Sequence, residues 1–153
     1  MGNFYKKWKE MKKLALICGS FNPFTIGHLN IVEKSEKIFG EGNVIIAIGI
    51  NPEKTGQEGI EKALKRAEYI SSKIKRNVEV YNTFLHEYIE KKESDGYDIV
   101  LVRGLRNSND LEYENTQLRF INDLKKNINV VFIKCDDEFQ HISSSAIRNL
   151  ESF

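Results

Sequence analysis

At 153 residues, with 23 basic and 22 acidic side chains and a formal net charge of +1, the chain has the length of one domain. It lacks the charge excess of a dedicated nucleic-acid or membrane-surface protein, and no apolar run reaches membrane-spanning length. Its two cysteines, Cys18 and Cys135, close apolar runs in a chain with no secretory signal and no zinc-type ligand spacing, so they read as reduced core thiols of a cytoplasmic protein.

Taken in chain order, residues 1–12 are polar and basic, with Phe4, Trp8 and Met11 spaced to share one helical face. They predict an amphipathic helical extension ahead of a domain at 13–153, packed against that domain or a neighbouring subunit rather than lying on a membrane. No apolar h-region marks them as a signal peptide.

Leu14 to Cys18 has the length and composition of a strand buried on both faces, and it stops at Gly19 and Ser20. Pro23 and Gly27 punctuate the loop that follows. From Leu29, the apolar residues Ile31, Val32, Ile38 and Phe39 fall on one helical face, which puts His28 at or just before a helix N-terminus. There the unpaired N–H groups and the helix dipole favour an anion, and the imidazole adds a donor. The string is neither G-x-G-x-x-G nor G-x-x-x-x-G-K-[ST].

Asn43 to Ile50 reads as a second buried strand, running into a loop that carries Lys54. A helix from about Ile60 to Lys75, a short strand at Val78 to Tyr81 and a helix marked by Phe84, Leu85, Tyr88 and Ile89 follow. Asp98 to Val102 is the next buried strand, leading to Gly104 with Arg103 and Arg106 on either side, a pattern that favours an anion. Asn109 and Glu112 have capping-box spacing before a helix with Leu111, Leu118, Ile121 and Leu124 inward. Val130 to Ile133 is the last strand, and Ser143 to Ser145 open a terminal helix.

Strand and helix alternate throughout, which predicts an α/β fold: a Rossmann-like doubly wound sheet of about five parallel strands in a single domain. The Gly, Lys, Arg and Ser signals all fall at the carboxyl ends of strands, one shared edge and one composite site. Lys54 by itself could be a solvated loop charge. His86 reads as an exposed helix residue, and His141 lies beside the serines, where it could approach a base.

Thr25-Ile26-Gly27-His28 and Ile142-Ser143-Ser144-Ser145 resemble the (T/H)-x-G-H and ISSS signatures of the nucleotidylyltransferase superfamily. Within it, Arg103-Gly104-Leu105-Arg106, continuing to Asp110-Leu111-Glu112-Tyr113-Glu114, resembles the RGLR…D(F/L)EYE block of the phosphopantetheine adenylyltransferase family. Gly19-Ser20-Phe21-Asn22-Pro23 and Asn51-Pro52-Glu53-Lys54 are similar to further motifs of that family, and the resemblance extends from Leu14 to Leu150.

The resemblance implies adenylyl transfer from ATP to 4′-phosphopantetheine, giving dephospho-coenzyme A and pyrophosphate. It implies four catalytic residues: His28 donating to the α-phosphate, Lys54 holding the two reacting phosphates together, and Arg106 and Ser144 gripping the triphosphate. On the ATP side it adds Ser20, Phe21, Gly104, Leu105, Glu114, Ile142, Ser143 and Ser145. On the acceptor side it places Ser20, Lys54, Leu85 and Arg103. Magnesium is expected to arrive with ATP rather than in a protein cage. The partners implied are these substrates and copies of the chain itself, commonly as hexamers, with neither nucleic acid nor membrane.

Two departures stand out. The family's LEER-like helix start reads Ile60-Glu61-Lys62-Ala63, without the arginine, and the family's chain continues beyond the serine turn where this one stops at Phe153. They keep open a nucleotide-binding module of the same fold with weakened turnover, and the shared superfamily core keeps open an enzyme adenylylating nicotinamide mononucleotide. A cytidylyltransferase fits less well, since Phe139-Gln140-His141 does not match the Arg-Thr-x-Gly prefix of its serine motif.

Overall fold

The strand Lys12–Gly19, here β1, lies at the centre of the sheet in the computed structural model, which describes residues 11–50, 56–106 and 128–139. All five residues from Leu14 to Cys18 are buried. A strand apolar on both faces needs cover on both, and parallel crossovers supply it.

The other strands are β2 (Val44–Gly49), β3 (Val78–Tyr81), β4 (Tyr97–Leu105) and β5 (Asn129–Lys134). They pair in the order β3-β2-β1-β4-β5, every pair parallel. Helices α1 (Ile26–Phe39) and α2 (Gln57–Ile74) cover one face, where Ile31, Val32, Ala63, Ala67 and Ile70 pack with Ile17, Ile46, Ile48 and Val102. Helix α3 (Leu85–Ser94) covers the other, where Tyr88 and Ile89 meet Leu16, Ala47, Ile99 and Leu101. This is the doubly wound arrangement that the alternation of elements predicts.

The chain steps outward from β1 to β2 and β3, then returns to lay β4 along the opposite edge of β1. The reversal leaves a crevice at the carboxyl ends of β1 and β4, the place where open α/β sheets bind ligands. The Gly19–His28 segment leaves β1 into that crevice, and Arg103 to Arg106 close β4 beside it.

Several boundaries differ from the sequence reading. β1 begins at Lys12, and α2 begins at Gln57 rather than near Ile60. β4 continues to Leu105 because Arg103, Gly104 and Leu105 pair with Phe132, Ile133 and Lys134 of β5, a partner remote in sequence. Gly104 suits that extension, since a Cβ there would lie 2.8 Å from Cγ1 of Ile31 on α1. The expected helix over residues 1–12 falls almost wholly outside the described residues. So do the loop with Lys54, the helix after Asn109, and the serine turn with its helix.

Candidate active site

Helix α1 starts at Ile26, so His28 is not ahead of the helix but third within its first turn, with Thr25 as the N-cap. The two residues form a reciprocal box. Thr25 Oγ1 accepts from the His28 N–H at 3.3 Å, and Nδ1 of His28 accepts from the Thr25 N–H at 2.9 Å. Histidine here takes the part that Glu or Gln usually plays at N3. An imidazole that accepts at Nδ1 carries its proton on Nε2 when neutral. Burial first, and the nearby Arg106 cation second, push the His28 pKa from 6.5 down to about 4. The ring is therefore neutral at pH 7, a fixed Nε2–H donor rather than a cation.

Aromatic rings hold that imidazole in place. Phe21 meets it edge-on at 5.0 Å between centroids, and Phe24 lies at 5.3 Å. Phe21 is buried, and its backbone is left-handed at φ 48°. Such a conformation costs a bulky residue about 1–3 kcal/mol, offset by ring packing against Gly19, Phe24 and His28. Its side chain is thus wall rather than contact surface. Ser20 is exposed beside it, and its carbonyl accepts from Nη1 of Arg66 on α2 at 2.9 Å.

Arg103 and Arg106 go to different faces of the sheet. Strand alternation sends Arg103 to the α3 side, where its cation acts on the Cys18 thiol and the Tyr81 phenol. Arg106, just past β4, acts on His28 and on Cys135 on the α1 side. Burial nonetheless pushes the Cys18 thiol up to about 12, which makes it an inert core thiol. Leu105 ends β4, its carbonyl accepting from the Cys135 N–H at 2.8 Å, and Leu85 opens α3 against the same cluster as Cys18.

Of the residues proposed from sequence, Ser20, Phe21, His28, Leu85, Arg103, Gly104, Leu105 and Arg106 therefore belong to elements ending or starting at one edge of the sheet. His28 and Arg106 are close enough to interact. Lys54, Glu114, Ile142, Ser143, Ser144 and Ser145 lie outside the described residues. Sequence reasoning passed over Thr25 as partner of His28, although Thr-x-x-His has capping-box spacing. It also passed over Arg66, one helical turn beyond the position where the arginine is missing, and over Asn30 and Asp136.

The cytidylyltransferase-like family model matches residues 16–150. Phosphopantetheine adenylyltransferase of Porphyromonas gingivalis is 39% identical over 143 residues, 93% of this chain and 89% of that protein. The enzymes of the same name from Clostridium novyi and Clostridium botulinum are each 32% identical, over 92% of this chain and 84% and 83% of their own lengths. Among solved structures, a lipopolysaccharide core biosynthesis protein from Thermoplasma volcanium superposes with a TM-score of 0.45 at 15% identity, covering 81% of this chain and 96% of that one.

Proposed function

The chain belongs to the phosphopantetheine adenylyltransferase family, and on that footing we propose that it transfers the adenylyl group of ATP to 4′-phosphopantetheine, giving dephospho-coenzyme A and pyrophosphate. The observation that carries the acceptor is identity of 39% and 32% with relatives of that name across more than nine-tenths of the chain. No observation favours nicotinamide mononucleotide in its place.

The reaction needs no covalent enzyme intermediate. A phosphate oxygen of the acceptor attacks the α-phosphorus of ATP in line, the new P–O bond forms, and the bond to pyrophosphate breaks. The protein positions the two phosphates and stabilises charge on the group in transit. Nε2–H of His28 donates to the α-phosphate, and its neutral state means that it brings a hydrogen bond without a proton to lose. Arg106, on the same side as His28, takes the triphosphate with Ser143, Ser144 and Ser145. Ile142, Glu114, Phe21, Gly104 and Leu105 border the nucleotide. Lys54 bridges the reacting phosphates, and Arg103, on the opposite face, serves the acceptor with Ser20 and Leu85.

Among the described residues no three carboxylate, imidazole or thiol groups cluster closely enough to hold a metal. Magnesium would accompany ATP and offset the charge of the triphosphate, as the family resemblance implies. The enzyme is placed in the cytoplasm and in a homo-oligomer, a hexamer on the family pattern.

The test is pyrophosphate release with ATP, magnesium and either 4′-phosphopantetheine or nicotinamide mononucleotide. Release with the first alone is expected. Release with the second alone moves the assignment to that acceptor, and ATP binding without release makes the protein a binding module.

A further inference from the structure

Helix α1 grips the carboxyl end of β5 with two side chains one turn apart. The carboxamide of Asn30 spends both ends on one residue: Oδ1 accepts from the Asp136 N–H at 3.0 Å, and Nδ2 donates to Oδ2 of the Asp136 carboxylate at 2.9 Å. Lys34 sets its ammonium 2.5 Å from Oδ1 of that carboxylate and donates to the Lys134 carbonyl at 2.7 Å. Between these attachments, the Cys135 N–H holds the Leu105 carbonyl at 2.8 Å, one residue before Arg106.

Among the described residues β5 is an edge strand, paired on one side only. Strand ends at a sheet edge are where local opening costs least. Half-exposed ion pairs add little to global stability, yet here four contacts from α1 converge on two residues, Lys134 and Asp136. What they fix is position. Their anchor is the helix that carries His28, and the far end of the chain of contacts is Leu105, whose neighbour Arg106 acts on His28.

We infer that Asn30, supported by Lys34, is a positioning residue that sets Arg106 against His28 by tying the ends of β5 and β4 to α1. Its kinetic expression rests on the adenylyl-transfer reading above. Asn30→Asp replaces the Nδ2 donor with a second carboxylate facing Asp136. The exchange of Asn30→Asp with Asp136→Asn re-forms the pair with its roles reversed.

The experiment compares wild type, Asn30→Asp and the exchange variant in two measurements: steady-state kinetics, and the ring resonances of His28 by NMR without nucleotide. Asn30→Asp should lower kcat on the order of tenfold, as a slight misplacement of a catalytic group does. KM for 4′-phosphopantetheine should hold, because Arg103 lies on the other face. His28 resonances should shift, and the exchange variant should restore both readouts. Unchanged kcat and resonances in Asn30→Asp, or an exchange variant that restores neither, overturns the inference. A wild type that releases no pyrophosphate overturns the functional reading instead, and the His28 resonances still decide the clamp. Should Asn30→Asp fail to fold, Lys34→Met, which leaves the carboxamide pair in place, gives the same two readouts.

Discussion

The Thr25 N–H donates to Nδ1 of His28 at 2.9 Å, so the cap that starts the helix also fixes which nitrogen of the neutral imidazole carries the proton. A capping bond that fixes the tautomer resists protonation, because a protonated ring would turn Nδ1 from acceptor to donor against an N–H. Burial of the ring first, and the nearby Arg106 cation second, hold the imidazole neutral, and the consequence shows in pH dependence. With the folded pKa near 4 and the reference at 6.5, the unfolded chain binds a proton in that window that the folded chain refuses. Stability is therefore complete above pH 6.5 and falls as pH drops toward 4, by at most about 1.4 kcal/mol per pH unit. Denaturant midpoints of wild type and His28→Gln should diverge in that window alone. Equal loss in both would show that another group titrates there.

Activity separates capping from catalysis at the same residue. His28→Ala removes the ring donor and the acceptor for the Thr25 N–H together. It should lower the rate on the order of a hundredfold or more, as loss of one preorganised donor does, and stability by about 1 kcal/mol, as loss of a cap does. His28→Gln keeps a side-chain oxygen for Thr25, in the ordinary capping-box manner. Its melting temperature should therefore stay near that of wild type. A full-rate His28→Ala enzyme would take His28 out of the reaction.

Arg66 donates to the Ser20 carbonyl at 2.9 Å from the first half of α2, across 46 residues of sequence. A single exposed bond of this kind is worth little to global stability. Its effect should be local, on the turn that carries Ser20 into the crevice. Arg66→Met should raise KM for a substrate contacting Ser20 by about threefold to tenfold, equivalent to about 1 kcal/mol, with the melting curve unmoved. Unchanged KM for both substrates would leave Arg66 with no part in holding the turn.

The strands were legible because parallel strands buried on both faces are written as apolar runs, and Leu14 to Cys18 is one. The position of the first helix was legible for the same local reason, from Gly27 and His28, although it opens at Ile26 rather than near Leu29. What escaped depends on partners far along the chain. β4 reaches Leu105 only because β5 pairs with its end, and that extension sends Arg103 and Arg106 to opposite faces. Asn30 and Asp136 meet across 106 residues, and neither carries a local signal. The extent of β4 and the clamp on β5 are tertiary facts, which periodicity does not encode.

Gly104 shows how tightly that extension is built. It sits between Arg103 and Arg106 on β4, where the strand passes over α1, and a Cβ would meet Ile31 at 2.8 Å from Cγ1 and 3.2 Å from Cδ1. Ile31 is buried in the core shared by α1, α2 and the sheet, so it has little room to withdraw. Gly104→Ala should therefore destabilise the protein by about 1–3 kcal/mol through overpacking. It should also lower activity, since the displaced strand end leads directly to Arg106. Ile31→Ala alone should cost about 2–5 kcal/mol by opening a cavity. In combination the new methyl occupies part of that cavity, so the double variant should lose less stability than the sum, with a coupling of about 0.5–3 kcal/mol, and recover part of the lost rate. Chemical denaturation of the four proteins measures the coupling, and strict additivity would show that the Gly104 backbone does not press on Ile31.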